Sequence, residues 1–162
     1  MIRKLFFCLL LLTFTLASAA CNLVITPVPA RELNPNGVIF KPEQTMTAID
    51  VLGEGVEDTW TPSAADIAAL EAGLPAFLQT AENPWLQDDP PIWERVPDYM
   101  RQYLGIVEDG QQIIYANFFC TINEMDWHSE YVFVMDGGDC FFQVKYNPES
   151  GEFFDLSVNG AG

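Results

Sequence analysis

The one histidine of the chain, His128, sits in the run Asn123-Glu124-Met125-Asp126-Trp127-His128-Ser129-Glu130, between an acid and a hydroxyl. Those residue types suggest proton relay to a serine nucleophile. That chemistry places the imidazole between nucleophile and carboxylate in space, and no strand-to-helix elbow presents Ser129. One imidazole among carboxylates is also a poor zinc donor set, because zinc favours more nitrogen or sulfur. Carboxylates gather again at Glu54, Glu57 and Asp58, at Asp88 and Asp89, and at Asp136 and Asp139. None follows the alternating acid spacing of a calcium loop. Glycoside hydrolysis needs two carboxyl groups about 5 to 9.5 Å apart, and any acidic chain offers such pairs by accident. His128 therefore reads as a surface-loop residue, with Trp127 and His128 as a possible binding loop. No catalytic residue, metal ligand or cofactor is assigned.

The four cysteines are Cys8, Cys21, Cys120 and Cys140. Cys8 lies in an apolar run from Leu5 to Leu16 that follows Arg3-Lys4 and precedes Ala17-Ser18-Ala19-Ala20. A charged start, a short apolar core and a small-residue exit make a secretory signal peptide. The run is too short for an ordinary membrane span, which takes about 20 residues. Ala19-Ala20-Cys21 resembles the end of the lipobox of bacterial lipoproteins, although Ser18 stands where that family usually has leucine. The resemblance implies a lipid on Cys21 and attachment at the outer membrane or in the periplasm. The alternative is plain secretion after a small-x-small cleavage site. Either way the environment is oxidising, and Cys120 and Cys140 remain as a candidate disulfide or as two buried thiols. In a simple strand meander they fall at opposite edges, so a bond between them requires a strand order that is not sequential.

Loss of residues 1–20 removes Arg3 and Lys4 and no acid, leaving five basic against 23 acidic side chains and a net charge near −18. Such a chain lacks the cations needed to neutralise phosphates, so nucleic acid and anionic membrane surfaces are excluded as partners. The expected organisation is a signal peptide over 1–20, a proline-bearing tether over 21–45 and a single domain over 46–162. The alternative for Val38-Ile39-Phe40 is to dock on the domain.

Within the domain, Met46 to Leu52 is expected as a short strand. A helix follows Thr61-Pro62-Ser63, with Thr61 or Ser63 capping it, Pro62 in its first turn and Asp66 at its positive end. Ile67, Leu70, Leu74, Phe77 and Leu78 repeat at helical spacing as one apolar stripe, with a kink or restart at Gly73 and Pro75. Residues 84–98 mix prolines with Trp85, Ile92 and Trp93. Asp109-Gly110 predicts a two-residue turn between strands 101–107 and 111–120, and Gly137-Gly138 predicts another between 131–135 and 140–146. The turn at Asn147-Pro148-Glu149-Ser150-Gly151 leads into Phe153 to Val158.

In that register one face gathers Tyr131, Phe133, Met135, Cys140, Phe142, Val144 and Tyr146, and the other Val132, Val134, Phe141, Phe154, Leu156 and Val158. Both are apolar, and one helix covers only one of them. The second needs another cover, and residues 84–98 are expected to supply it; the alternatives are the N-terminal tether and a partner chain. The fold class is α+β, an N-terminal helix packed on an antiparallel sheet of about five strands.

Taken together, Arg101-Gln102-Tyr103, Gly105-Ile106-Val107, Asp109-Gly110, Ile114-Tyr115-Ala116-Asn117-Phe118-Phe119, Asp136-Gly137-Gly138, Phe141-Phe142 and the turn from Asn147 to Gly151 resemble a family of small exported bacterial proteins without assigned activity. The likeness spans roughly residues 60 to 160. It implies export and an α+β domain, closed by Asn159-Gly160 as the family's terminus. It implies no substrate. The expected role is binding rather than catalysis, to an envelope protein partner. The alternatives are a secreted inhibitor of a cationic or hydrolytic enzyme, or an enzyme with a carboxylate-lined cleft.

Overall fold

Asp109 and Gly110 fix the centre of the fold. Both take positive φ, 49° and 71°, as a two-residue hairpin turn requires, and they pair Glu108 with Gln111. The computed structural model describes residues 34–52, 55–83, 86, 89–122 and 124–160. The expected signal peptide, Cys21 and the tether up to residue 33 lie outside them. The turn joins β3 (Met100–Glu108) to β4 (Gln111–Phe119). Around this hairpin lie β1 (Gly37–Ile39), β2 (Asp58–Trp60), β5 (Phe141–Asn147) and β6 (Glu152–Val158). The result is an open six-stranded sheet in the order β1-β3-β4-β5-β6, with β2 also on β3. It is mixed, because β1 runs parallel to β3. Three helices accompany it, α1 (Pro42–Leu52), α2 (Ala64–Thr80) and the short α3 (Ile92–Arg95). The α+β class holds.

Several expectations are corrected. Met46 to Leu52 is helical, not a strand. Pro42 and Glu43 suit a first turn, the Lys41 amide donates to Gln44 Oε1 at 3.0 Å, and Thr45 and Ala48 are buried along one side. The β-branched Thr45, Thr47, Ile49 and Val51 imitate a strand by composition, and helical burial overrides it. Residues 34–45 are consequently part of the folded domain, with Phe40 fully buried.

The segment 131–135 belongs to no strand, so Gly137-Gly138 is not a hairpin turn. Its glycines do take positive φ, 91° and 61°, but they lead into a short 3-10 turn, Gly138–Cys140. Strand β5 therefore pairs directly with β4, setting Phe119 opposite Phe141. The strand once expected between Cys120 and Cys140 is gone, and the two lie at disulfide distance with Cα atoms 5.0 Å apart, inside the usual range of about 4.4–6.8 Å. Closing this loop is expected to stabilise the domain by about 3 kcal/mol. A Cys120→Ser chain should melt correspondingly lower than wild type, and reductant should then leave its transition unmoved.

Coverage of the two faces also differs. Leu86, Ile92 and Val96 join Ile67, Leu70, Leu74 and Leu78 of α2 on the same face, over Tyr103, Ile114, Phe118, Phe142 and Val144. The second face is covered by Phe40, which follows β1, and by α1 through Ala48, both on Leu104, and by the connection from 121 to 134, through Ile122, Trp127, Val132 and Val134 on Phe119 and Phe141. Finally, Leu156 and Val158 lie with Phe142, not Phe141. The pairing shifts between Gln143 and Lys145 and Asp155 takes φ 50°, so the inserted residue reverses which side of β6 faces the core.

Helix α2 begins with a reciprocal cap. The Ser63 side chain accepts from the Asp66 amide while Asp66 accepts from the Ser63 amide, which satisfies two orphan donors. Pro62 therefore precedes the cap and is not in the first turn. The helix runs through Pro75 as one element. Gly73 has a packing role: a Cβ there would meet the Phe153 ring at 2.9 Å, and that ring stacks on Phe77 with centroids 5.0 Å apart.

Candidate functional site

The Asp109-Gly110 turn sets Gln102 opposite Asn117, and β5 adds Gln143 opposite Asn117. Three amide side chains thus form a row across the second face, between Met100, Phe119 and Phe141 on one side and Leu104, Tyr115 and Lys145 on the other. Gln102 and Asn117 are buried, and a buried amide must be hydrogen-bonded. They find their partners in the connection above them. Gln102 Nε2 donates to the carbonyls of Trp127 and Glu130, both at 2.7 Å, and its Oε1 accepts from the Val132 amide at 3.0 Å. Asn117 Nδ2 donates to the Val132 carbonyl at 2.8 Å, and Gln143 Nε2 donates to Asn117 Oδ1 at 3.2 Å. Further on, Asn159 Nδ2 donates to the carbonyls of Val134 and Asp136 at 2.7 and 3.0 Å. An irregular crossing is in this way clamped to a rigid sheet by side chains, where a ladder would have used backbone.

The clamp decides which side chains face outward. Val132 and Val134 turn in, while Phe133 is 55% exposed and Met135 83% exposed. Beside them Met125 is 41% exposed. Ile122, Met125, Val132, Phe133, Val134 and Phe141 line a cavity of about 240 Å³ at this surface. Apolar side chains held open beside a formed hollow mark a binding surface more often than chance exposure does.

The expected binding loop, Trp127 and His128, lies at one end of the same crossing. Trp127 is half-buried and packs edge-on against Phe119, with centroids 5.8 Å apart, so it anchors the loop. His128 stacks on the Trp127 ring at 3.8 Å and has a side chain 62% exposed. Asp126 stands between the other two polar groups: Ser129 Oγ donates to its Oδ2 at 2.6 Å, and His128 Nδ1 lies 3.6 Å from its Oδ1. In a hydrolytic triad the imidazole stands in that central place, so these three residues do not form one. The Ser129 hydroxyl, with smaller help from His128, holds the Asp126 carboxyl below its usual range. The trio closes a turn.

Near α1, Tyr131 and Tyr115 meet with ring centroids 6.5 Å apart and hydroxyl oxygens at 3.3 Å. Burial pushes both hydroxyls up, so both are neutral packing groups at physiological pH.

The acidic clusters do not converge. Glu57 accepts from the Gly110 amide at 3.0 Å, Asp58 accepts from the next amide in its own chain, and Asp139 pairs with Arg95. Glu54 and Asp88 lie outside the described residues. A second cavity of about 380 Å³ is lined by Glu108, Asp109, Gln111, Asn147, Glu152 and Phe154 among others. It has carboxylates, but Asp109 and Glu152 are exposed and Glu108 is held by Lys145 at 2.8 Å. Two buried acids poised for proton transfer are not assembled there. Among the described residues no three His, Cys, Asp or Glu side chains converge as metal ligands would, and no helix is long and apolar enough to cross a membrane.

No family model, curated protein or solved structure matches this chain.

The residues that shape this surface were partly visible in the sequence. Gln102 and Asn117 are equidistant from the Asp109-Gly110 turn, so their pairing followed from it. The outward set of Phe133 and Met135 did not, because the segment was read as a core strand.

Proposed function

We propose that this chain is an exported, lipid-anchored envelope protein that works by binding another protein, not by catalysis. The observation carrying this reading is the apolar surface of Met125, Phe133 and Met135, presented by a crossing whose backbone is pinned to the sheet. A pre-shaped apolar hollow suits recognition, since little ordering cost is left for the partner to meet. The carboxylate-lined cleft supports the enzyme alternative less well, because its acids are solvated or already paired. The charged start, short apolar run and small residues leading into Cys21 support the envelope setting.

Two measurements test this. Mass spectrometry of the native N-terminus is expected to find a diacylglyceryl group on Cys21; an unmodified mature chain in the soluble fraction would mean plain secretion. Crosslinking in intact envelopes should yield an adduct with wild type and with His128→Ala, and lose it with Phe133→Ser. Both variants should keep stability within about 0.5 kcal/mol of wild type, as exposed substitutions do. An adduct lost with His128→Ala instead would move the site to the Glu124–Glu130 turn.

A further inference from the structure

We infer that the Phe133 surface takes a cationic, apolar-anchored segment of a partner protein: a bulky apolar side chain set between lysines or arginines. The inference rests on the binding reading above and adds the chemistry of the partner. Its first support is charge. The stretch from Cys120 to Cys140 contains Glu124, Asp126, Glu130, Asp136 and Asp139 and no lysine or arginine. Asp139 is matched by Arg95, and Asp126 is engaged by Ser129 and His128. Glu124, Glu130 and Asp136 are exposed and form no ion pair among the described residues. Along the chain, unpaired carboxylates flank the exposed apolar residues, Glu124 before Met125 and Asp136 after Met135. An apolar centre with a charged rim is the anatomy of a protein interface, and the rim's sign selects the partner.

The second support is size. A hollow of about 240 Å³ accommodates one or two large side chains, not a folded face, so it fits an anchor residue on a segment. The same charge argues against other occupants. A second copy would bring the same acids to the same place, since the chain carries a formal charge of −16. Anionic lipid would be repelled.

The test is titration calorimetry on the full chain with three synthetic peptides: alternating lysine–leucine, lysine–serine and glutamate–leucine. The lysine–leucine peptide is expected to bind, and either substituted peptide to bind at least about tenfold more weakly. Phe133→Ser, Met135→Ser and the pair Glu124→Gln with Asp136→Asn should each weaken it by about tenfold with the melting temperature held. Raising salt should weaken it further, because the rim charges are exposed. Equal binding by wild type and Phe133→Ser would overturn the inference, showing diffuse attraction to an acidic surface. So would equal binding of the glutamate–leucine peptide, a Phe133-dependent dimer in sedimentation, or Phe133-dependent partition onto phosphatidylcholine vesicles. If the envelope adduct still depends on Phe133 while the lysine–leucine peptide is ignored, the cationic partner falls and the binding function stands. If neither depends on Phe133, both fall.

Discussion

Replacing Phe142 with alanine is expected to cost about 3–5 kcal/mol and to lower Tm by on the order of 10 °C. The ring is fully buried at the centre of the larger core. It stacks on Phe118 with centroids 4.5 Å apart and planes 1° from parallel, and it meets the Tyr99 ring edge-on at 5.2 Å. Alanine would remove both aromatic contacts and leave a void framed by β3, β4 and β5, strands whose pairing keeps them from closing on it. The Tyr99 hydroxyl donates to the Asp139 carbonyl at 2.7 Å, so movement of that ring would also disturb the turn leading into β5. Urea unfolding should show the midpoint falling with an unchanged slope. Phe133→Ser, on the exposed surface, should shift it by less than about 0.5 kcal/mol. A loss at Phe142 below about 1.5 kcal/mol would mean that the core repacks around the gap.

That contrast between two phenylalanines nine positions apart shows what was legible in the sequence. Phe142 reads as covered because both sheet faces are apolar, and the Asp109-Gly110 turn anchors the registers of β3 and β4. The register assumed across Gly137-Gly138 puts Phe133 on the same covered face, wrongly. Val132-Phe133-Val134-Met135 has the composition of a strand, and strand composition reports a chain that is extended and half-buried, not one that is laddered. What makes 131–135 a crossing instead is the set of amides beneath it, on β3, β4 and after β6, which are distant in sequence. Once Gln102 and Asn117 are buried face to face, they need backbone partners, and the crossing supplies them.

Helix α1 departs from its strand-like sequence for a related reason. Its alternating β-branched residues carry a period of two, while its burial has a period near four, and tertiary packing decided between them. The cysteine pairing was held back by the same supposed strand. With 131–135 removed from the ladder, Cys120 and Cys140 follow directly from the pairing of Phe119 with Phe141. Local turn chemistry is legible at Asp109 and Asn147; at Gly137-Gly138 the positive φ is present but the expected hairpin is not, because the glycines lead into the 3-10 turn Gly138–Cys140.

Arg101→Met is expected to destabilise the domain by about 3–5 kcal/mol, and Glu71→Gln by distinctly less. Arg101 is fully buried, which for a guanidinium requires that its donors be used. Its Nη1 donates to both Glu71 oxygens at 2.8 Å. Its Nη2 donates to the carbonyls of Val96 and Tyr99 at 2.7 and 2.8 Å, and its Nε to Tyr99 at 3.1 Å. The guanidinium carbon lies 5.4 Å from the centre of the Phe118 ring. One side chain thus ties α2, the Val96–Asp98 turn and β3 together. Glu71 is also bonded by the Tyr103 hydroxyl, whose ionisation is pushed up chiefly by burial and further by the carboxylate, so it stays a donor.

Methionine at 101 would keep much of the volume but remove the bonds that Arg101 gives to Glu71 and to the Val96 and Tyr99 carbonyls, the Val96 carbonyl keeping the Tyr99 amide at 3.2 Å. Glutamine at 71 would keep an acceptor for both Arg101 and Tyr103 on a side chain that is 22% exposed, so less is lost. The rank order separates two accounts of the cluster. If the ion pair itself held the fold, the two variants would cost alike and the double variant would recover most of the loss. If Arg101 acts mainly by satisfying the carbonyls of the turn before β3, Arg101→Met should cost more, and adding Glu71→Gln should not restore it. Equal single costs with recovery in the double would assign the cluster to charge pairing.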